Sequence, residues 1–326
     1  MPLLRPVLAF TAILFGPLAG CALEGDAEPS PFETPADTFR PCPGCTWGPP
    51  LLNSHGLNGI EVSALDTNGE AHDGWQLLEV VIPGDLGTYT RVLHDVHAED
   101  GVLYGLDEWG TPISAEGFVG SRWTVAVEAT GEKEVMQIVD YTNVDGPSRY
   151  TFIVTDVANG VTDPKIYTCP EQEPGSGDYA AVLFADLDVK ADSGTHVERA
   201  NTIYFGCTHA AVGKAAMWGY SPWDTDDETH QTASRAVRAD YCGVGQSYTV
   251  AGTKVQLADI FGINGFGDPN AYTEAFWGPE GALCIKVPRH VEVQDVACAG
   301  SPVPFCSVED DLKDWKGALI WSKVGQ

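Results

Sequence analysis

Basic residues are scarce. Lysine and arginine number 18 against 46 aspartates and glutamates, a formal charge of −28. Binding to nucleic acid needs a basic surface, so nucleic acid is excluded as a partner. Anionic lipid is excluded as a direct one for the same reason. Long apolar runs are missing as well: after residue 20 none could cross a bilayer. The chain has no P-loop, no dinucleotide-binding glycine fingerprint and no H-E-x-x-H. "GYSPW" (219–223) departs from the G-x-S-x-G elbow at Trp223, which leaves Ser221 a weak nucleophile candidate. "WDTDDETH" (223–230) and "DLDVKADSG" (186–194) are acidic but lack the D-x-D-x-D-G spacing of a calcium loop. No cofactor and no metal is therefore expected.

What is present begins with an address. Arg5 supplies a positive start, Pro6 to Phe15 an apolar stretch, and Leu18-Ala19-Gly20-Cys21 follows. This resembles the lipobox of bacterial lipoproteins, in which the cysteine is acylated and becomes the mature N-terminus. The expectation is a lipoprotein signal peptide at 1–20 and a lipid anchor on Cys21, with the protein exported and held on a bacterial membrane, taken as the outer one at its periplasmic or surface face. Two or three acyl chains anchor stably where one does not. Residues 21–55 are rich in proline, acidic and small residues, and read as a disordered tether.

Removing Cys21 leaves eight cysteines: Cys42, Cys45, Cys169, Cys207, Cys242, Cys284, Cys298 and Cys306. An even number in an exported chain reads as disulfides. Cys42-Pro-Gly-Cys45 has C-x-x-C spacing. It sits in the tether, with no strand before it to present it at a helix N-terminus, and a linker disulfide suits it better than a redox site. By position, Cys242 is expected to pair with Cys284, or else Cys207, with Cys169–Cys207 and Cys298–Cys306 completing the first arrangement.

The middle of the chain reads as strands. "WTVAVEA" (123–129) and "YTFIVTD" (150–156) alternate, and "GIEVSALD", "WQLLEVVI", "EVMQIVDY", "AAVLFADLDV" and "NTIYFGC" are similar β-rich runs. An antiparallel region, sandwich-like or an open barrel, is expected from 56 to 206. Two helices follow. The first, in 207–219, has Thr208 as N-cap and Gly219 beyond its end. The second, in 224–243, has acidic residues early and arginines late, with Cys242 closing it before Gly243. "SYTVAGTKVQLAD" reads as a hairpin turning near Gly252, and 281–287 and 317–323 as late strands. The fold class is α+β with strand in excess, stapled by disulfides: 56–168 a β-rich N-terminal part, 169–326 the remainder.

Ala239-Asp240-Tyr241-Cys242 carries a resemblance. With "FGCTHAAVGKAAMWGYSPW" before it, "HQTASRAVRADYCGVGQSYTVAGT" through it and "AFWGPEGALC" after it, the chain resembles the ADYC domain family of bacterial exported proteins. The resemblance implies export and a shared fold, and supplies no catalytic residues. It also implies that relatives carry two further cysteines where this chain has Ala215 and Ala233, consistent with one disulfide absent here.

Candidate chemistry is thin. His94 and His97 of "HDVH" fall on opposite faces of a strand and chelate only if a turn brings them together; otherwise they belong to an exposed acidic loop. Trp218, Tyr220 and Trp223 form an aromatic group that could stack on a sugar or fill a core. Tyr241 on an apolar helix face and Cys242 beside it read as a staple. Two readings of function follow: a lipid-anchored cell-envelope module with a binding or structural role toward a protein or glycan ligand, or an exported hydrolase with a cleft near His209, His230, Asp240 and Trp218. A shared cleft holding two of those side chains would favour the enzyme, and a packed interior the module.

Overall fold

The computed structural model describes residues 51–325 apart from breaks at 53, 55, 59, 84–89, 145, 157–159, 269, 291–295 and 308–313. Cys21, Cys42, Cys45, the expected signal peptide and nearly all of the expected tether lie outside the described residues.

The first strands are β1 (Leu51–Leu52), β2 (Ala64–Asp66), β3 (Ala71–His72), β4 (Trp75–Pro83), β5 (Thr90–Glu99), β6 (Val102–Asp107) and β7 (Pro112–Ser114). Then come β8 (Arg122–Val127), β9 (Lys133–Thr142), β10 (Arg149–Asp156), β11 (Gly160–Tyr167), β12 (Ala180–Val189) and β13 (His196–Cys207). Two helices, α1 (Ala211–Met217) and α2 (Asp227–Arg238), precede β14 (Lys254–Asp259), β15 (Tyr272–Gly278), β16 (Gly281–Ile285), the short pair β17 (Ala297–Cys298) and β18 (Ser301–Pro302), and β19 (Ile320–Val324).

Strands β2 to β13 build one antiparallel sheet in the order β2-β13-β12-β10-β9-β8-β4-β5-β6-β7, with β11 beside β10 and β3 beside β4. It curls without closing: β5 lies over β12 and β13, and β2 meets β4. Alternation makes its inner core. Trp123, Phe152 and Phe205 meet edge to face, with centroids 5.3 to 6.3 Å apart, an arrangement aromatic rings favour. The remaining strands, β1 and β14 to β19, form a five-stranded sheet, β1-β14-β19-β15-β16, and the pair β17-β18.

The helices fill the space between the sheets. Val212 and Ala216 of α1 pack on Val182, Phe184 and Tyr204 of β12 and β13. Ala233, Ala236 and Val237 of α2 pack with Leu257, Ala275, Trp277 and Ile320 of the smaller sheet. The result is the expected strand-rich α+β class, without a closed barrel. No helix among the described residues is long and apolar enough to cross a membrane.

Several local expectations are corrected. The N-cap of α1 is Ala210, because the Thr208 hydroxyl donates to Ala180 O at 3.0 Å instead. The expected hairpin at 247–259 supplies only β14; residues 247–250 have no strand partner. "HDVH" lies within β5, where a bulge between His94 and His97 leaves both exposed.

Three disulfides tie the described residues: Cys169–Cys207, Cys242–Cys298 and Cys284–Cys306. The expected Cys242–Cys284 and Cys298–Cys306 pairs are overturned by strand parity. On β15 and β16, Ala275, Trp277 and Ile285 face α2, whereas Phe276 and Cys284 face the other side with Cys306. Cys284 therefore points away from the end of α2. Such bonds mark an oxidising, extracytoplasmic setting.

Candidate functional site

The segment after α2 is dense in polar contacts. Helix α2 starts at Asp226, whose carboxylate accepts from Thr229 N at 2.7 Å. This satisfies one of the helix's open amides. Asp227 and Glu228 follow in the first turn, and Arg235 and Arg238 occupy the last, as the helix dipole favours. The helix ends at Arg238, four residues before Cys242, which was expected to close it.

Ala239 causes the stop. It adopts the left-handed conformation, φ 52° and ψ 43°. Its amide bonds to Ala236 O and that of Asp240 to Arg235 O, the two bonds of a Schellman ending. Glycine usually takes this position; an alanine there costs roughly 1 kcal/mol or more. The Asp240 carboxylate accepts from Val244 N at 3.2 Å and Gly245 N at 2.9 Å. Burial raises its pKa, offset in part by those amides and by Arg238 and Arg235. Gly243, φ 63°, lets the backbone run against Glu280: a Cβ there would stand 2.0 Å from Glu280 O.

Tyr241 reaches into the core. Its ring stacks on Trp277, centroids 5.3 Å apart. Its hydroxyl donates to Glu274 Oε1 at 2.7 Å and accepts from Arg289 N at 2.8 Å. Burial first, and then the Glu274 charge, push the Tyr241 pKa far up, so it stays a neutral donor. Arg289 donates to Glu274 Oε2 at 2.7 Å and to the carbonyls of Ala236 and Val237 at 2.9 Å each. The guanidinium thus closes the C-terminus of α2. Ser322 of β19 donates to Glu274 Oε2 at 2.7 Å, and Trp277 Nε1 donates to Ser322 Oγ at 2.8 Å. Both members of the Arg289–Glu274 ion pair have side chains 0% exposed.

Every residue of the Ala239–Cys242 motif is therefore used structurally, in turn as a helix stop, a turn carboxylate, a buried anchor and half of a disulfide. A family model, the ADYC domain, matches residues 115–291. The chain belongs to the ADYC domain family. No curated protein and no solved structure matches it. Within the ADYC domain, Ala215 and Ala233, where the resemblance implied a further bond, are both fully buried in one apolar cluster.

The side chains of the hydrolase reading do not line the cleft beside α1. This cleft of 320 Å³ is lined by Asp100, Ser148, Met217, Ser221, Trp223 and Asp224 among others, and by none of His209, His230, Asp240 and Trp218. No histidine lines it to act as base toward Ser221. Trp218 and Tyr220 are core residues, the Tyr220 hydroxyl donating to Asp259 Oδ2 at 2.9 Å. Trp223 packs on Phe184. Neither Trp218 nor Tyr220 offers a free face to a sugar, whereas Trp223 is half-buried and borders the cleft.

His230 is fully buried. Its Nε2 bonds to Val212 O at 3.0 Å, and its ring lies against Phe184 and His196, centroids 4.8 Å away in each case. Burial pushes its pKa down to about 4. His196 is also pushed well down, by burial first and then by His230 and Arg235. His230 is a core histidine and His196 a half-buried one with covered ring nitrogens, and acid should weaken the fold through them. At pH 7 they are neutral both folded and unfolded and contribute nothing. Below about 6.5 the unfolded chain takes up protons that the native state refuses, so stability falls with pH. For His230 the loss is complete near pH 4 and amounts to about 3 kcal/mol. In urea melts between pH 7 and 4.5, His230→Phe should therefore lose about 2 to 3 kcal/mol less stability than the wild type. Parallel profiles for the two proteins would rule this out.

Proposed function

We propose that this ADYC-domain protein is an exported, lipid-tethered component of a bacterial cell envelope, whose folded part has a binding or structural role toward a protein or glycan. The observation that carries the reading is that the family motif is wholly absorbed into the fold. Ala239, Asp240 and Tyr241 are at most 1% exposed, and Cys242 is cross-linked. A motif used this way specifies a frame rather than a reaction. Three disulfides suit the compartment, and an acidic surface keeps a tethered domain soluble and off anionic headgroups. Membrane attachment rests on Leu18-Ala19-Gly20-Cys21 alone. Cys21→Ser should accordingly move the protein from the membrane pellet to the soluble fraction in high salt. Equal pelleting of variant and wild type would remove the anchor from the proposal.

A further inference from the structure

A separate polar cluster is built by two turns of backbone. Asp73 and Gly74 join β3 to β4 with φ of 48° and 85°, the two left-handed residues of a type I′ hairpin. His72 pairs with Trp75 across it, so Asp73 is held beside His72. Asp188 comes from β12. Before it, Ala181, Leu183 and Ala185 face the inner core, and Val182 and Phe184 face α1. Asp186, φ 52°, is a bulge between Ala185 and Leu187. After it Leu187 and Val189 face α1. The extra residue thereby turns Asp188 to the inner side, where it is 0% exposed.

His72 Nε2 lies 3.5 Å from Asp73 Oδ2 and 3.4 Å from Asp188 Oδ2. His72 is 7% exposed, yet Nε2 has no hydrogen-bond partner, and neither has Asp188 Oδ1. Buried polar atoms are seldom left so. The spacing is that of ligands around one ion: two atoms bound tetrahedrally at about 2.0–2.1 Å stand about 3.3–3.4 Å apart. One ligand atom from each of the three residues falls within 4.8 Å of the others. Lys190 donates to Asp188 Oδ2 from a side chain that is 43% exposed. The ammonium is thus a monovalent counter-ion with a clear path into water.

We propose that His72, Asp73 and Asp188 form a binding site for a divalent transition-metal ion of the zinc class, which displaces the Lys190 ammonium and keeps water as a further ligand. Two carboxylates match the double charge, and an imidazole nitrogen selects against calcium and magnesium, which take oxygen ligands.

Calorimetric titration of the full chain with zinc chloride should show one equivalent bound at this site. Asp73→Asn, at a half-exposed carboxylate, should weaken it about tenfold or more, and His72→Gln should abolish it. Lys190→Met, which removes the competing cation, should tighten it about tenfold. Calcium chloride should give no comparable heat. Cobalt(II) should give a visible absorption band that His72→Gln removes. A wild type that binds no zinc overturns the proposal. So do Asp73→Asn and His72→Gln variants that bind as tightly as the wild type, or a Lys190→Met variant that binds no tighter. Asp73→Asn and Lys190→Met change exposed groups, so the test survives a folding defect in the His72 variant.

Discussion

Arg289→Met is expected to destabilise the protein by about 3–5 kcal/mol, the scale seen when one partner of a buried ion pair is removed. Three losses coincide. Glu274 is left buried, with only the neutral hydroxyls of Tyr241 and Ser322 donating to it. At the end of α2 the Val237 carbonyl loses the guanidinium donor, and the Ala236 carbonyl keeps only the Ala239 amide. The cost of unpaired buried groups exceeds the net worth of the bonds themselves. Glu274→Leu should harm comparably, since it strands the guanidinium. The double variant Glu274→Leu/Arg289→Met should cost clearly less than the sum, because no charge is then stranded. Tyr241→Phe, which removes one hydroxyl from a network that otherwise persists, should cost about 1–2 kcal/mol. Urea melts of the four variants measure these differences. Additive single and double effects, or an Arg289→Met loss below about 1 kcal/mol, would mean that the pair is not what holds this junction.

Breaking the Cys242–Cys298 bond should cost nearly as much. The bond spans 56 residues of sequence, and closing such a loop in the unfolded chain is worth about 4 kcal/mol by chain entropy, an upper figure when unfolded-state structure is present. Cys242→Ala and Cys298→Ala should have similar melting temperatures, well below that of the wild type, and the double variant should match either. Cys284→Ala should lower the melting temperature of either variant further, since it opens a second bond, Cys284–Cys306, whose 22-residue span interleaves with the first. A Cys242→Ala variant that melts like the wild type, or whose effect is doubled by Cys298→Ala, would contradict this. Peptide mapping without reduction reads the pairing directly.

Much of the frame was legible because it follows local rules. The runs at β8, β10 and β12 alternate or are apolar enough to declare strands, and the charge order of α2 announces its direction. What stayed hidden depends on parity and on distance along the chain. His230, Ala233, Val237 and Tyr241 keep helical spacing beyond the true end of α2, and an alanine gives no sign that it will adopt φ 52°. Cys284 looked like a partner for Cys242 until the pairing of β15 and β16 fixed which face it takes. β5 escaped because "RVLHDVHAED" is broken by a bulge that interrupts its alternation. Glu274 and Arg289 are ordinary charged residues in the sequence. Only the docking of the loop after β16 against the end of α2 makes them a pair. His72 and Asp188 are likewise 116 positions apart, and no spacing rule joins them.

The placement of β19 bears on the order in which the protein assembles. It comes last of the strands along the chain, yet it occupies the middle of the smaller sheet, between β14 and β15, and Ser322 within it completes the bonds to Glu274. β14 and β15 share no hydrogen bonds of their own, so that sheet cannot grow strand by strand from its N-terminal side. Until β19 arrives, the apolar face of α2 has no finished surface to close against. Non-local pairing of this kind is slow to form. For a chain that is exported, as proposed, closure of the smaller sheet on α2 therefore waits for the strand delivered last of those described, whereas the larger sheet does not.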